Sequence, residues 1–246
     1  MKRIRTELKA RLREVDTYIA FLREVEKNED QGWANFLKVG SDQEIVDRGS
    51  LEQVLKSTTY LLMYNLIEST VNSTFKVVSN AISQLKTYRG LNKKIQSLMV
   101  RSFLLLPQKK DDSKDVSVPS YMDHGTVVQR MLNFLESVVM DDACPIHTKV
   151  LKGSGNLDAY QIKKLMETLG IVGYKDKNKY YVKAIKDNRN DLAHGDKSFS
   201  SIGSQMTIQS IYLMRKEMIY VIVKFVRRIE QYIDNKEYLN TPIHAE

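Results

Sequence analysis

Apolar residues along the first stretch of the chain fall at Ile4, Leu8, Leu12, Val15, Ile19, Leu22 and Val25, with charged residues filling the steps between them. Steps of three and four draw one stripe down a helix over residues 3–28, and NEDQG then ends it at Gly32. From Ser50 to Lys86 the pattern changes. Apolar residues around 60–67 wrap most of the circumference, so this segment, one long helix or two abutting ones, belongs at the centre of a core. Ser50 reads as its cap, with the acid Glu52 just inside. Further helices are predicted over 91–105, ended by Pro107, over 125–140, and over 157–169 before Gly170. Two more follow, over 179–194 before Gly195 and, largely apolar, over 207–235. Between them, PQKKDDSKDVSVPS (107–120) reads as a mobile surface loop, and 141–156 as an irregular one with a short strand at 147–151. No alternating strand pattern of any length occurs, nor any repeat with a period of tens of residues. The pattern predicts an all-α fold: a multi-helix bundle of long antiparallel helices, one domain over 1–246 with loops at 107–120 and 141–156.

Composition narrows this further. With 246 residues, 42% of them hydrophobic and 28% charged, the chain can bury a substantial core. Its one cysteine, Cys144, can close no internal disulfide, so nothing points to a secreted disulfide scaffold. The opening MKRIRTELKARLREVD lacks the apolar core of a leader, and the longest apolar run, MIYVIVKFV (218–226), is interrupted by Lys224 and too short for a bilayer. A soluble, cytoplasmic protein without membrane contact is expected. A net charge of +8 favours polyanionic partners, nucleic acid first, although the charges are mostly mixed with acids.

The chemistry concentrates in DNRNDLAHGDK (187–197). In helix 179–194 the apolar positions Val182, Ile185 and Leu192 leave one gap in their stripe, and Arg189 fills it. An arginine turned toward a core must reach a carboxylate, a rim or an incoming anion. A salt bridge within the bundle is the plain structural alternative. His194 stands in the last turn before Gly195, where the helix dipole favours a cation, and a histidine there often has no further role. Histidine is also the side chain suited to act as acid and base. Arg189 and His194 lie roughly 140° apart around a straight helix, with ~7.5 Å of rise between them. One helix does not easily aim both at one atom unless its end bends, whereas two copies across a twofold axis can.

Arg189, Asn190, Asp191, Leu192, Ala193 and His194 near a helix end resemble the Arg–polar–x–x–x–His signature of the HEPN superfamily (higher eukaryotes and prokaryotes nucleotide-binding domain). IRTELKARLREVDTYIAFL, LLMYNLIEST and RNDLAHG followed by SFSSIG together resemble prokaryotic HEPN-like nucleases of the MAE type, over essentially the whole chain. The resemblance implies a metal-independent endoribonuclease without cofactor, whose homodimer brings two motifs into one cleft. By the same resemblance, His194 moves the proton of the ribose 2′-hydroxyl or of the leaving 5′-oxygen. Arg189 then holds the scissile phosphate, Asn190 positions it or the histidine, and the ends are a 2′,3′-cyclic phosphate and a 5′-hydroxyl. Toxin–antitoxin or phage-defence settings, with a cognate antitoxin or neighbouring effector, are implied likewise. Asp191, three residues before His194, is a candidate to orient the imidazole. HEPN toxins paired with a small nucleotidyltransferase carry a tyrosine two residues after the histidine; here Asp196 departs from that pattern.

Weaker constellations complete the reading. Cys144 and His147, near Asp141 and Asp142, lack the second pair a structural zinc needs, so no metal is assigned. KGSGN (152–156) lacks the lysine and hydroxyl of a phosphate loop and reads as a connection capped by Asn156. Tyr180 and Tyr181 are candidates to stack an RNA base, although one of them is expected in the core. Lys224, Arg227 and Arg228 are candidates to touch RNA backbone, against the default of solvated helix charges. Two rivals to a nuclease stand. One is a non-catalytic HEPN module that binds RNA or nucleotides or docks a partner; the other is a dimerisation scaffold in which Arg189 makes a structural ion pair.

Overall fold

A computed structural model of the chain describes residues 1–27, 38–39, 44–45, 48–85, 88–105, 124–140, 146, 156–174 and 179–240. Eight helices run through the described residues: α1 (Lys2–Lys27), α2 (Arg48–Ser83), α3 (Lys93–Leu105), α4 (His124–Val139), α5 (Ala159–Thr168), α6 (Lys179–His194), α7 (Phe199–Gly203) and α8 (Ile208–Asp234). The fold is all-α, as the periodicity predicts. Its only described strands, β1 (Lys38–Val39) and β2 (Glu44–Ile45), form a two-residue antiparallel ladder pairing Lys38 with Ile45 and Val39 with Glu44. Gly32, Pro107, the 107–120 loop and the 147–151 strand lie outside the described residues. So do Cys144, His147, Asp141 and Asp142. Among the described residues, no helix is long and apolar enough to cross a membrane.

Contacts divide the chain into two compact units. The first comprises Met1–Val71, Asn156–Tyr160 and Asp176–Lys224. The α1 stripe is buried there at Ile4, Leu8, Val15, Ile19, Leu22 and Val25, while Leu12 is half-buried. In α2, Tyr60, Met63, Tyr64, Leu66 and Ile67 are all buried, which is what all-round apolarity requires. This stretch is one unbroken helix, opening at Arg48 rather than at Ser50. Each such side chain, fully buried, stabilises the fold by about 1.5–3 kcal/mol before ordering entropy is set against it. Leu8 and Leu12 of α1, Leu66 of α2, and Ile219 and Ile222 of α8 line one apolar gap, so three long helices meet there. Two polar ties fix their register. Tyr18 donates through its hydroxyl to Leu55 O at 2.8 Å, and Arg215 of α8 forks onto Asp16 of α1, with Nη2 2.6 Å from Oδ2.

The second unit comprises Asn72–Gly155, Gln161–Lys175 and Phe225–Glu246. Phe75 and Phe225 stack tilted at 5.7 Å, and the Tyr232 hydroxyl donates to Leu169 O at 3.0 Å. Burial pushes the Tyr232 phenol far above its ordinary range, so it stays a neutral donor. Asn92 caps α3 by accepting from Ile95 N, and its Nδ2 donates to Glu237 O. Phe134 anchors α4, edge-on to both Tyr88 and Phe103. Val128, Leu132, Leu135 and Val139 of the same helix remain exposed.

Candidate functional site

The motif occupies the second half of α6, in the first unit. Val182, Ile185 and Leu192 are buried as the stripe demands, and Arg189, in the gap between them, is half-buried. Its Nη1 donates to the Asn190 Oδ1 at 3.0 Å, and its Cζ lies 4.4 Å from the centre of the Tyr64 ring. Among the described residues no carboxylate pairs with it. A guanidinium carries five N–H donors; among the described residues one is used, and an amide and an aromatic face hold the group without neutralising it.

Partners from far along the chain fix that arrangement. Asn190 Nδ2 donates to Asn156 Oδ1 at 2.9 Å, and the Leu157 N–H donates to the Tyr64 hydroxyl at 3.1 Å. Asp158 sits 3.1 Å from Lys186 Nζ. Three consecutive residues thus strap α6 to α2. Asn156 is not a helix cap, since α5 begins only at Ala159; its side chain serves Asn190 instead. Burial raises the Tyr64 phenol, outweighing the Leu157 hydrogen bond and the nearby Arg189 charge, so the ring faces Arg189 in its neutral form.

The first half of α6 contrasts with this. Lys183 and Lys186 both bridge to Asp187, at 2.5 and 3.1 Å. Burial disfavours the Asp187 charge, but the two lysines outweigh it and hold the carboxyl below its ordinary pKa. Lys186 is likewise raised, its burial being outweighed by Asp187 and Asp158.

Gly195, at φ +77, ends the helix. Asp196 N donates back to Asp191 O at 2.9 Å, the six-to-one closure of a Schellman turn, which leaves His194 as the last helical residue. His194 is exposed. Asp191 does not orient the imidazole here: its carboxylate is 2.7 Å from Lys197 Nζ. Ser198 then caps α7 by accepting from Ser201 N, and α7 ends at Gly203, where an added Cβ would stand 1.9 Å from Gln53 O of α2. Such a close approach admits only glycine and anchors the segment that follows His194.

The remaining candidates disperse. Tyr180 is exposed and Tyr181 half-buried, packed edge-on at 5.4 Å, so neither joins the buried core that one of them was expected to enter. Lys224 lies 5.8 Å from the Tyr220 ring. Arg227, exposed, and Arg228 belong to the second unit, where the Arg228 fork is taken by Glu237 at 2.8 and 2.7 Å. Tyr64 and Asn156 were missed as site residues. The one available signal was Arg189 itself, since a cation in an apolar stripe requires an aromatic or polar neighbour.

No curated protein and no solved structure matches the chain. A family model described as MAE_28990-like HEPN matches residues 1–238, a span that holds all eight helices and the Arg189–His194 motif. The chain belongs to the MAE_28990-like HEPN family.

Proposed function

We propose that this protein is a metal-independent endoribonuclease acting as a homodimer, with Arg189 and His194 of paired protomers converging on one phosphodiester. Family membership supports a nuclease or a nucleotide-binding module. The observation that carries the nuclease reading is the Arg189 guanidinium, held by an amide and a ring, with donors left for an anion.

The 2′-oxygen attacks phosphorus as the bond from phosphorus to the 5′-oxygen breaks. His194 takes the 2′ proton and, as imidazolium, gives it to the departing 5′-oxygen, so charge balances and the ends are a 2′,3′-cyclic phosphate and a 5′-hydroxyl. Arg189 carries the developing phosphate charge, and Asn190, itself tied to Asn156, keeps the guanidinium aimed. RNA is the substrate because the 2′-hydroxyl is the nucleophile. A toxin–antitoxin or phage-defence role, with a cognate antitoxin or effector, follows from the family resemblance alone.

The test is cleavage of single-stranded RNA in EDTA with analysis of the new ends. Wild type leaves cyclic-phosphate ends and His194→Ala leaves the RNA whole while its circular dichroism is unchanged. RNA that is bound but uncut by the wild type would sink the nuclease reading in favour of a binding module.

A further inference from the structure

In the second unit, α3 and α5 flank a groove of about 360 Å³. Its floor includes the buried Leu98, and its rim carries Lys94 and Arg101 from α3 and Lys164 from α5. All three cations are exposed, and among the described residues none has a carboxylate partner. Lys94 and Arg101 are seven residues apart, two turns along one side of α3, and Ser97 lies between them. The Ser97 hydroxyl has no hydrogen bond among the described residues. The one carboxylate lining the groove, Glu167, is already 3.5 Å from Lys163. The Lys94 stem passes beside Gly170, just beyond the end of α5, with its Cγ 3.6 Å from where a Cβ there would stand. Ser97 and Arg101 also border a second depression of about 550 Å³ along α3, which adds Lys93.

Three cations whose one neighbouring carboxylate, Glu167, is already paired with Lys163 repel one another. A fold that keeps them so presents them to something negative. The spacing suits a chain of phosphates better than a single one, because the cations are spread along two turns of helix, about 10 Å. Lysines and an arginine around a hydroxyl make point and fork contacts to backbone phosphate without reading a base.

We infer that this α3–α5 groove binds the backbone of a single-stranded nucleic acid, RNA in the protein's working state, through Lys94, Arg101 and Lys164. The choice of RNA rests on the proposed function; the groove's affinity for phosphodiester does not, since Arg189 and His194 belong to the first unit.

The experiment measures fluorescence anisotropy of a short labelled single-stranded RNA, and of DNA of the same sequence, with the full chain at several salt concentrations. The triple variant Lys94→Glu, Arg101→Glu, Lys164→Glu is compared with Lys9→Glu, Lys76→Glu, Lys216→Glu, which changes net charge equally at exposed lysines elsewhere. The groove variant should lose at least ~10-fold in RNA affinity, and its salt slope should fall by about 2, at ~0.7 per single-strand phosphate contact. The control should change by less than ~3-fold. The milder set Lys94→Gln, Arg101→Gln, Lys164→Gln, which adds no repulsion within the surface, should show a smaller loss of the same kind. An equal loss on DNA supports a backbone groove that ignores the sugar, and a loss on RNA alone assigns it to RNA. Equal losses in groove and control variants, no loss in either groove set, or a loss confined to DNA overturns the inference. Because binding is read directly, a protein that never cuts RNA still tests the groove.

Discussion

Arg215 and Arg189 both belong to the first unit, and they end in opposite surroundings. Arg215 forks onto the Asp16 carboxylate, as Arg228 does onto Glu237 in the second unit. Arg189 meets an amide oxygen and a phenol ring. A fork saturated by a carboxylate is spent on the fold, whereas one steadied by neutral groups keeps its charge and its donors for an incoming anion. The same division runs along α6, from the lysines closed on Asp187 to the uncommitted Arg189 and His194.

The sharpest way to break this comparison is to remove each arginine in turn. Arg189→Ala should lower RNA cleavage by about 10²–10³-fold, the order seen when one charge-stabilising donor is lost, with little change in melting temperature. A large fall in melting temperature with cleavage intact would make Arg189 another structural arginine. Next in size is Gly203→Ala. With the added Cβ meeting Gln53 O, α7 must shift, and urea denaturation should show a loss of about 1–3 kcal/mol. Tyr64→Phe keeps the ring over Arg189 but strands the Leu157 N–H, so stability should fall by about 1 kcal/mol while cleavage changes less than ~3-fold. Arg215→Ala should cost under ~1 kcal/mol, because Arg215 and Asp16 are 28% and 44% exposed and water screens the pair, and it should leave cleavage untouched. The smallest effect is on pH dependence. Asp187 is lowered in the folded state, so its contribution is present above the unfolded carboxylate's ~3.9 and is lost as pH falls through the lower folded value. The melting-temperature gap between wild type and Asp187→Asn should therefore close in acid.

Much of the frame is legible in the sequence itself. The bounds of α6 follow from Val182, Ile185 and Leu192 at helical steps and from Gly195 just beyond, both local signals. α7 was not foreseen, since five residues are too few to show a period. Nor was the demand on Gly203, which comes from the α2 backbone far away in sequence. The motif residues could be picked out, but not what Arg189 touches. Tyr64 reads as one more core aromatic of α2, and Asn156 as a cap, because local pattern carries no trace of a partner brought up by tertiary folding. The Asp191–Lys197 pair was hidden for a different reason. Three-residue spacing pointed Asp191 at His194, but the Schellman turn brings Lys197 back to its carboxylate instead.

The central claim is that one protomer's Arg189 works with the other's His194. It is tested most directly by mixing two inactive variants, Arg189→Ala and His194→Ala, after unfolding and refolding them together. Random pairing makes half of the dimers mixed, each with one intact composite site, so RNA cleavage should return to about a quarter of the wild-type level. A mixture as inactive as either variant alone would contradict the account.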